Sequence, residues 1–210
     1  EDRLIPGPDG APDVRVRIYT PAGRPGPFPA MVFLHGGGFV LGSIEHEDAT
    51  ARSIADGADA VVVSVDYRLA PECPYPAALE DSYAALSWLH RNAAELDVAP
   101  TRIGVGGASA GGGLAAATAL LARDRAEVPL CMQYLEVPEL DDRLETPSMT
   151  AYADTPVWDR HRAELSWRAY LGGSVADGYA APARAADLAG LPPSYVTVAQ
   201  FDPLRDEGID

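Results

Sequence analysis

The chain contains no lysine; all 16 of its basic side chains are arginine. Against 31 acidic residues this leaves a net charge of −15. Such a field repels phosphate backbones and anionic bilayer surfaces, which argues against nucleic acid and membrane partners. The missing lysine also removes the phosphate-binding group of a Walker loop. Two cysteines, Cys73 and Cys131, are too few and too far apart for a disulfide framework, and no CxxC or Cys/His cluster offers a zinc site. No apolar run reaches the roughly 20 residues that span a bilayer, and no signal-peptide pattern opens the chain. The first residue is Glu1 rather than Met, and "DPLRDEGID" at the other end reads as the start of a helix. Both ends are therefore expected to be cut. What is present, 210 residues with an ordinary share of apolar side chains, suffices for one domain with a sizeable core.

The period of the apolar residues changes along the chain. Residues 14–20, "VRVRIYT", alternate as a half-exposed antiparallel strand does. "AMVFLH" and "DAVVVSVDY" are continuous apolar or β-branched runs, the pattern of strands buried on both faces. Helices are predicted over residues 45–55, residues 76–97, "AGGGLAAATALLARDR" and "RHRAELSWRAYL", and further strands in "RIGVGG", "PLCMQYLEV" and "SYVTVAQ". Strand and helix alternate. This implies an α/β fold with a mostly parallel sheet, helices on both faces and ligands gathered at the carboxyl ends of the strands. Residues 138–173 break the alternation and read as an insertion over the sheet, a cap within a single catalytic domain of residues 1–210.

The densest glycine stretch is "GVGGASAGGG", Gly104 to Gly113. It lies between a strand and an apolar helix, which excludes a linker. A dinucleotide fingerprint matches formally at Gly111, Gly113 and Ala116, but that register puts the glycines inside the helix instead of at the turn. The remaining match is G-x-S-x-G, Gly107 to Gly111, in which Ser109 sits on a sharp strand-to-helix turn with tiny neighbours. "HGGGF", residues 35–39, follows an earlier buried strand. Its glycines allow backbone N–H groups to approach an oxyanion closely, with Gly37, Gly38 and Ala110 as the predicted donors. Each such donor is worth about 3 kcal/mol of transition-state stabilisation. Asp202, after the strand "SYVTVAQ", follows Ser109 in the chain order Ser, acid, His. His35 reads as a loop-orienting residue, and His46, His90 and His161 as solvated or packing side chains with no metal-ligand spacing.

These segments, with "VDYRLAPE" at 65–72, "YPAALED" at 75–81 and "FDPLRDEG" at 201–208, resemble the hormone-sensitive-lipase branch of the α/β-hydrolase fold esterases, the bacterial carboxylesterases that carry an HGGG loop. "LEVPELDDRLETPSM" and "LSWRAYLGG" further resemble heroin-esterase-like members, which cleave acetyl esters. The resemblance implies a Ser-His-Asp hydrolase of short-chain esters with nucleophile Ser109, acid Asp202, an oxyanion hole at Gly37, Gly38 and Ala110, and no cofactor or metal. Its partner would be a small-molecule ester, a homodimer is a candidate assembly, and its expected location is the bacterial cytoplasm. A ligand-binding protein on the same scaffold, or an amidase or lactonase using the same site, are the alternatives. Phe39, Tyr152, Trp158 and Trp167 are the candidate substrate-pocket residues, although the aromatics of the insertion fit core packing equally well. The sequence departs from the family in two ways. Ala108 stands where an acidic residue is commoner, and no histidine follows Asp202, so the catalytic histidine is expected beyond Asp210, and a cap segment before the first strand.

Overall fold

The protein is described by a computed structural model covering all 210 residues. Its strands are β1 (Asp2–Ile5), β2 (Val14–Tyr19), β3 (Phe28–Leu34), β4 (Val61–Asp66), β5 (Val98–Ala108), β6 (Met132–Glu136) and β7 (Ser194–Thr197). They form one sheet in the order β1-β2-β4-β3-β5-β6-β7. The β1–β2 and β2–β4 pairings are antiparallel, and every pairing from β4 to β7 is parallel. Val61, Val62, Val63 and Val65 are all fully buried, as a strand covered on both faces requires.

The helices are α1 (Asp48–Ala58), α2 (Ala77–Arg91), α3 (Ala110–Arg125), α4 (Pro147–Ala151), α5 (Arg160–Leu171) and α6 (Arg205–Ile209). Because side chains alternate across a strand, β4 sends Val61, Val63 and Val65 into the core shared with α2 and α3. Val62 goes to the opposite face, where it meets Ala51 and Ala55 of α1. Ala163, Trp167 and Tyr170 of α5 and Met149 of α4 belong to the larger core, so the segment between β6 and β7 is anchored in it.

Several boundaries differ from the sequence reading. α1 begins at Asp48 because Ser43 to Glu47 form a turn, with the His46 N–H donating to the Ser43 carbonyl. The helix expected over residues 76–97 ends at Arg91; the Asn92 side chain donates to the Trp88 carbonyl (2.8 Å) and closes the last turn. β5 then starts early, at Val98, which pairs with Phe28. At the antiparallel edge, Arg15 and Arg17 both reach Asp2 and Glu45, tying β1 and β2 to the approach of α1. Cys73 and Cys131 are both free thiols.

Candidate active site

The parallel strands bring three loops to one edge of the sheet. Leu34, the last residue of β3, is level with Gly107 of β5, and Gly107 with Leu135 of β6. Glu136 is in turn level with Thr197 of β7. "HGGGF", Ser109 and Asp202 therefore all lie just past the carboxyl ends of neighbouring strands, where a parallel sheet gathers its ligands.

Ser109 has φ 55° and ψ −120°, a conformation that costs an L-residue free energy and persists only where the surroundings impose it. Here they do. The Ser109 N–H donates to the Glu136 carbonyl (2.8 Å), and its carbonyl accepts from Gly113 and Glu139 (both 3.0 Å). A Cβ on Gly111 would stand 2.1 Å from the Leu34 carbonyl oxygen, and one on Gly107 would stand 2.3 Å from that of Gly111. Only glycine lets β3, β5 and α3 converge this closely, and the convergence leaves the Ser109 side chain partly exposed at the turn.

The glycine loop faces this turn. A Cβ on Gly36 would be 3.4 Å from the Cβ of Ser109. Neither the Gly37 nor the Gly38 N–H donates to another backbone carbonyl. Ala110, the first residue of α3, likewise has no intrahelical acceptor for its N–H. The loop is braced from behind. His35 is fully buried, its Nδ1 lies 2.8 Å from the Gly36 carbonyl, and its ring stacks on Tyr67 at 4.1 Å. Burial holds its pKa below the ordinary imidazole range, so it remains a neutral support. The Tyr67 hydroxyl donates to the His35 carbonyl (2.7 Å), and the Ala70 N–H donates to that of Phe39 (3.0 Å). Arg68, between them, donates to the buried Asp81 of α2 through its backbone N–H (3.0 Å) and Nη2 (2.7 Å). The "VDYRLAPE" and "YPAALED" segments thus serve the glycine loop mechanically, a relation that depends on tertiary contact and was not visible as chemistry in the sequence.

Asp202 is half-buried in a turn after β7, its Oδ1 accepting from the Leu204 N–H (2.9 Å). Next to it, Ser148 of α4 accepts from the Asp206 N–H (3.0 Å) and donates to the Pro203 carbonyl (2.7 Å). Tyr152 meets Phe201 edge-on at 6.1 Å. At the other end of the same segment, Trp158 lies over the glycine loop, its ring 2.6 Å from where a Cβ on Gly38 would stand. Tyr152 and Trp158 are partly exposed beside the two loops. Phe39 and Trp167, grouped with them as pocket residues on sequence grounds, are instead 1% and 3% exposed. Phe39 stacks on Tyr170 at 4.0 Å and packs on Trp167 at 5.2 Å, so this pair backs the loop from within the core. A cavity of about 730 Å³ lies elsewhere, between Leu120, Leu135, Leu140, Val196 and Ile209.

The profile of the alpha/beta hydrolase fold family matches residues 31–210. The chain belongs to this family. Among characterised hydrolases, carboxylesterase NlhH of Mycobacterium tuberculosis is 47% identical over 99% of this chain and 66% of its own length. An arylesterase of Saccharolobus solfataricus is 39% identical over 93% of this chain and 64% of its own length. The solved structure of a bacterial heroin esterase superposes over all of this chain and 68% of its own, with a TM-score of 0.97 and 50% identity. The chain spans about two thirds of the length of the curated relatives it matches. No helix is long and apolar enough to cross a membrane.

Proposed function

We propose that the protein hydrolyses short-chain carboxylic esters through an acyl-enzyme on Ser109. The observation that carries this reading is the strained Ser109 turn set against a glycine loop whose Gly37 and Gly38 amides are unbonded. The names of its relatives, a carboxylesterase and an arylesterase among them, support the same substrate class.

In this mechanism the Ser109 hydroxyl oxygen attacks the ester carbon while its proton passes to a histidine that follows Asp202 in the complete protein. Asp202 accepts from that histidine, fixes its tautomer and stabilises the imidazolium. The negative charge that develops on the ester oxygen is held by the N–H groups of Gly37, Gly38 and Ala110. The histidine returns its proton to the leaving alcohol; water then attacks the acyl-serine by the same route and releases the acid. The segment carrying α4 and α5 acts as the cap, with Tyr152 and Trp158 walling the substrate and Phe39 and Trp167 backing the loop. The two free thiols suit a reducing compartment, the bacterial cytoplasm.

The test is p-nitrophenyl acetate hydrolysis by the full-length protein beside Ser109→Ala, with an anilide and a lactone as competing substrates. The ester is expected to turn over fastest, and Ser109→Ala to lose on the order of 10⁴-fold or more. Activity that survives Ser109→Ala would sink the mechanism.

A further inference from the structure

Glu139 follows β6, and its side chain is entirely shielded from solvent. Its N–H donates to the Ser109 carbonyl (3.0 Å), and its own carbonyl oxygen lies 2.1 Å from where a Cβ on Gly113 would stand. Backbone contacts thus fix it against the serine turn. The hydroxyl of Ser166 on α5, a residue only 3% exposed, is close enough to draw the Glu139 pKa downward, yet neither carboxyl oxygen receives a hydrogen bond.

The reason lies on the far side of Ser166, whose hydroxyl donates to the Gly38 carbonyl at 2.6 Å. A serine has one hydroxyl proton. With it committed to Gly38, Ser166 turns only lone pairs toward Glu139, and an ionised carboxylate there would be a buried charge without a donor. The other groups that face Glu139 are Glu207 of α6 and the phenols of Tyr67 and Tyr170, and none is a cation. Burial, and after it repulsion from Glu207, raises its pKa well above the carboxylate range.

We propose that Glu139 is a positioning residue for the oxyanion loop: its neutral carboxyl donates to the Ser166 hydroxyl, which donates in turn to the Gly38 carbonyl. The inference rests on the esterase reading above. Gly38, at φ 57°, has no side chain of its own to hold it. The orientation of its peptide must come from outside, and a pinned carbonyl restricts how the neighbouring Gly37 and Gly38 N–H groups can turn. Proton direction matters. An ionised Glu139 would draw the Ser166 proton to itself and release Gly38, whereas a neutral one leaves Ser166 a single outlet. One residue then connects the nucleophile, through its backbone, with the oxyanion donors, through its side chain.

The test compares Glu139→Gln, Glu139→Ala, Ser166→Ala and the Glu139→Ala/Ser166→Ala double variant in the full-length protein, by kcat and KM for p-nitrophenyl acetate and by infrared difference spectra. Glu139→Gln, whose amide N–H donates as the carboxyl does, is expected to keep kcat within about twofold. Glu139→Ala and Ser166→Ala are expected to lower kcat on the order of 10- to 100-fold with little change in KM. The double variant should be no worse than the poorer single one, because both act through the same hydrogen bond. Glu207 also holds its proton at neutral pH, so the readout is the component of the protonated-carboxyl absorption that belongs to Glu139, which should vanish in Glu139→Gln and persist in Glu207→Gln. The proposal is overturned if Gln is as damaging as Ala, if the two losses multiply, or if Glu139→Gln removes no such band. A wild-type protein without Ser109-dependent turnover would instead remove the esterase reading. The band, together with the Gly38 carbonyl position in a crystal structure of Ser166→Ala, decides the relay without turnover.

Discussion

A Cβ on Gly111 would stand 2.1 Å from the Leu34 carbonyl oxygen, so the helix that follows the serine turn touches the backbone of the strand preceding the glycine loop. Gly111→Ala has no flexible side chain to push aside, only sheet backbone. The expected cost is about 3 kcal/mol of stability, with the serine and glycine loops driven apart. A lowered urea midpoint, with activity lost even in the folded fraction, is the outcome to look for.

Asp202→Asn should leave the fold intact, since the amide oxygen can still accept from the Leu204 N–H. It would lower kcat on the order of 10⁴-fold by favouring the wrong histidine tautomer. Steady-state kinetics beside an unchanged circular dichroism spectrum checks this, and a loss below tenfold would move the acid elsewhere.

Trp158 lies against Gly38 and is partly exposed. Trp158→Ala is expected to shift preference from acetyl toward longer acyl esters by on the order of 10-fold in relative kcat/KM. An unchanged chain-length profile would return Trp158 to a packing role.

Burial pushes the Glu207 carboxyl from 4.5 up to about 8. The folded protein therefore keeps a proton that the unfolded chain has released. The stability this contributes is complete below pH 4.5 and disappears as the pH rises through 8. Across that window it falls by at most about 1.4 kcal/mol per pH unit. Glu207 Oε1 accepts from the Leu140 N–H (2.6 Å), and a glutamine oxygen can do the same. Glu207→Gln should thus flatten the decline in melting temperature between pH 5 and 8, read by calorimetry at several pH values.

Local periodicity carried much of the fold. The helices Ala110–Arg125 and Arg160–Leu171 begin and end where their apolar spacing and flanking residues placed them, and the valines of β4 announced a central strand. β1 was missed because four residues ahead of Pro6 are too few to show alternation, and α4 because its single turn is held by Asp206 and Pro203, far along the chain. Ser109, the glycine loop and Asp202 could be proposed as a group because each closes a buried strand. Glu139, Ser166 and the Arg68–Asp81 pair could not. An acidic residue and a serine in polar segments look like surface until the tertiary fold buries them.

Ser109 keeps its φ of 55° only while β3, β5 and α3 press on it from their respective sides. In a chain whose sheet has loosened, that residue relaxes toward ordinary backbone angles and its hydroxyl swings off the edge where the glycine amides wait. On the proposed mechanism, reactivity requires the assembled tertiary structure, with no residual activity expected in partly unfolded forms. If Ser109 is the nucleophile proposed above, the rate at which a serine-directed phosphonate labels position 109 becomes a local thermometer, reporting the melting of the sheet at this edge in samples too crude for spectroscopy.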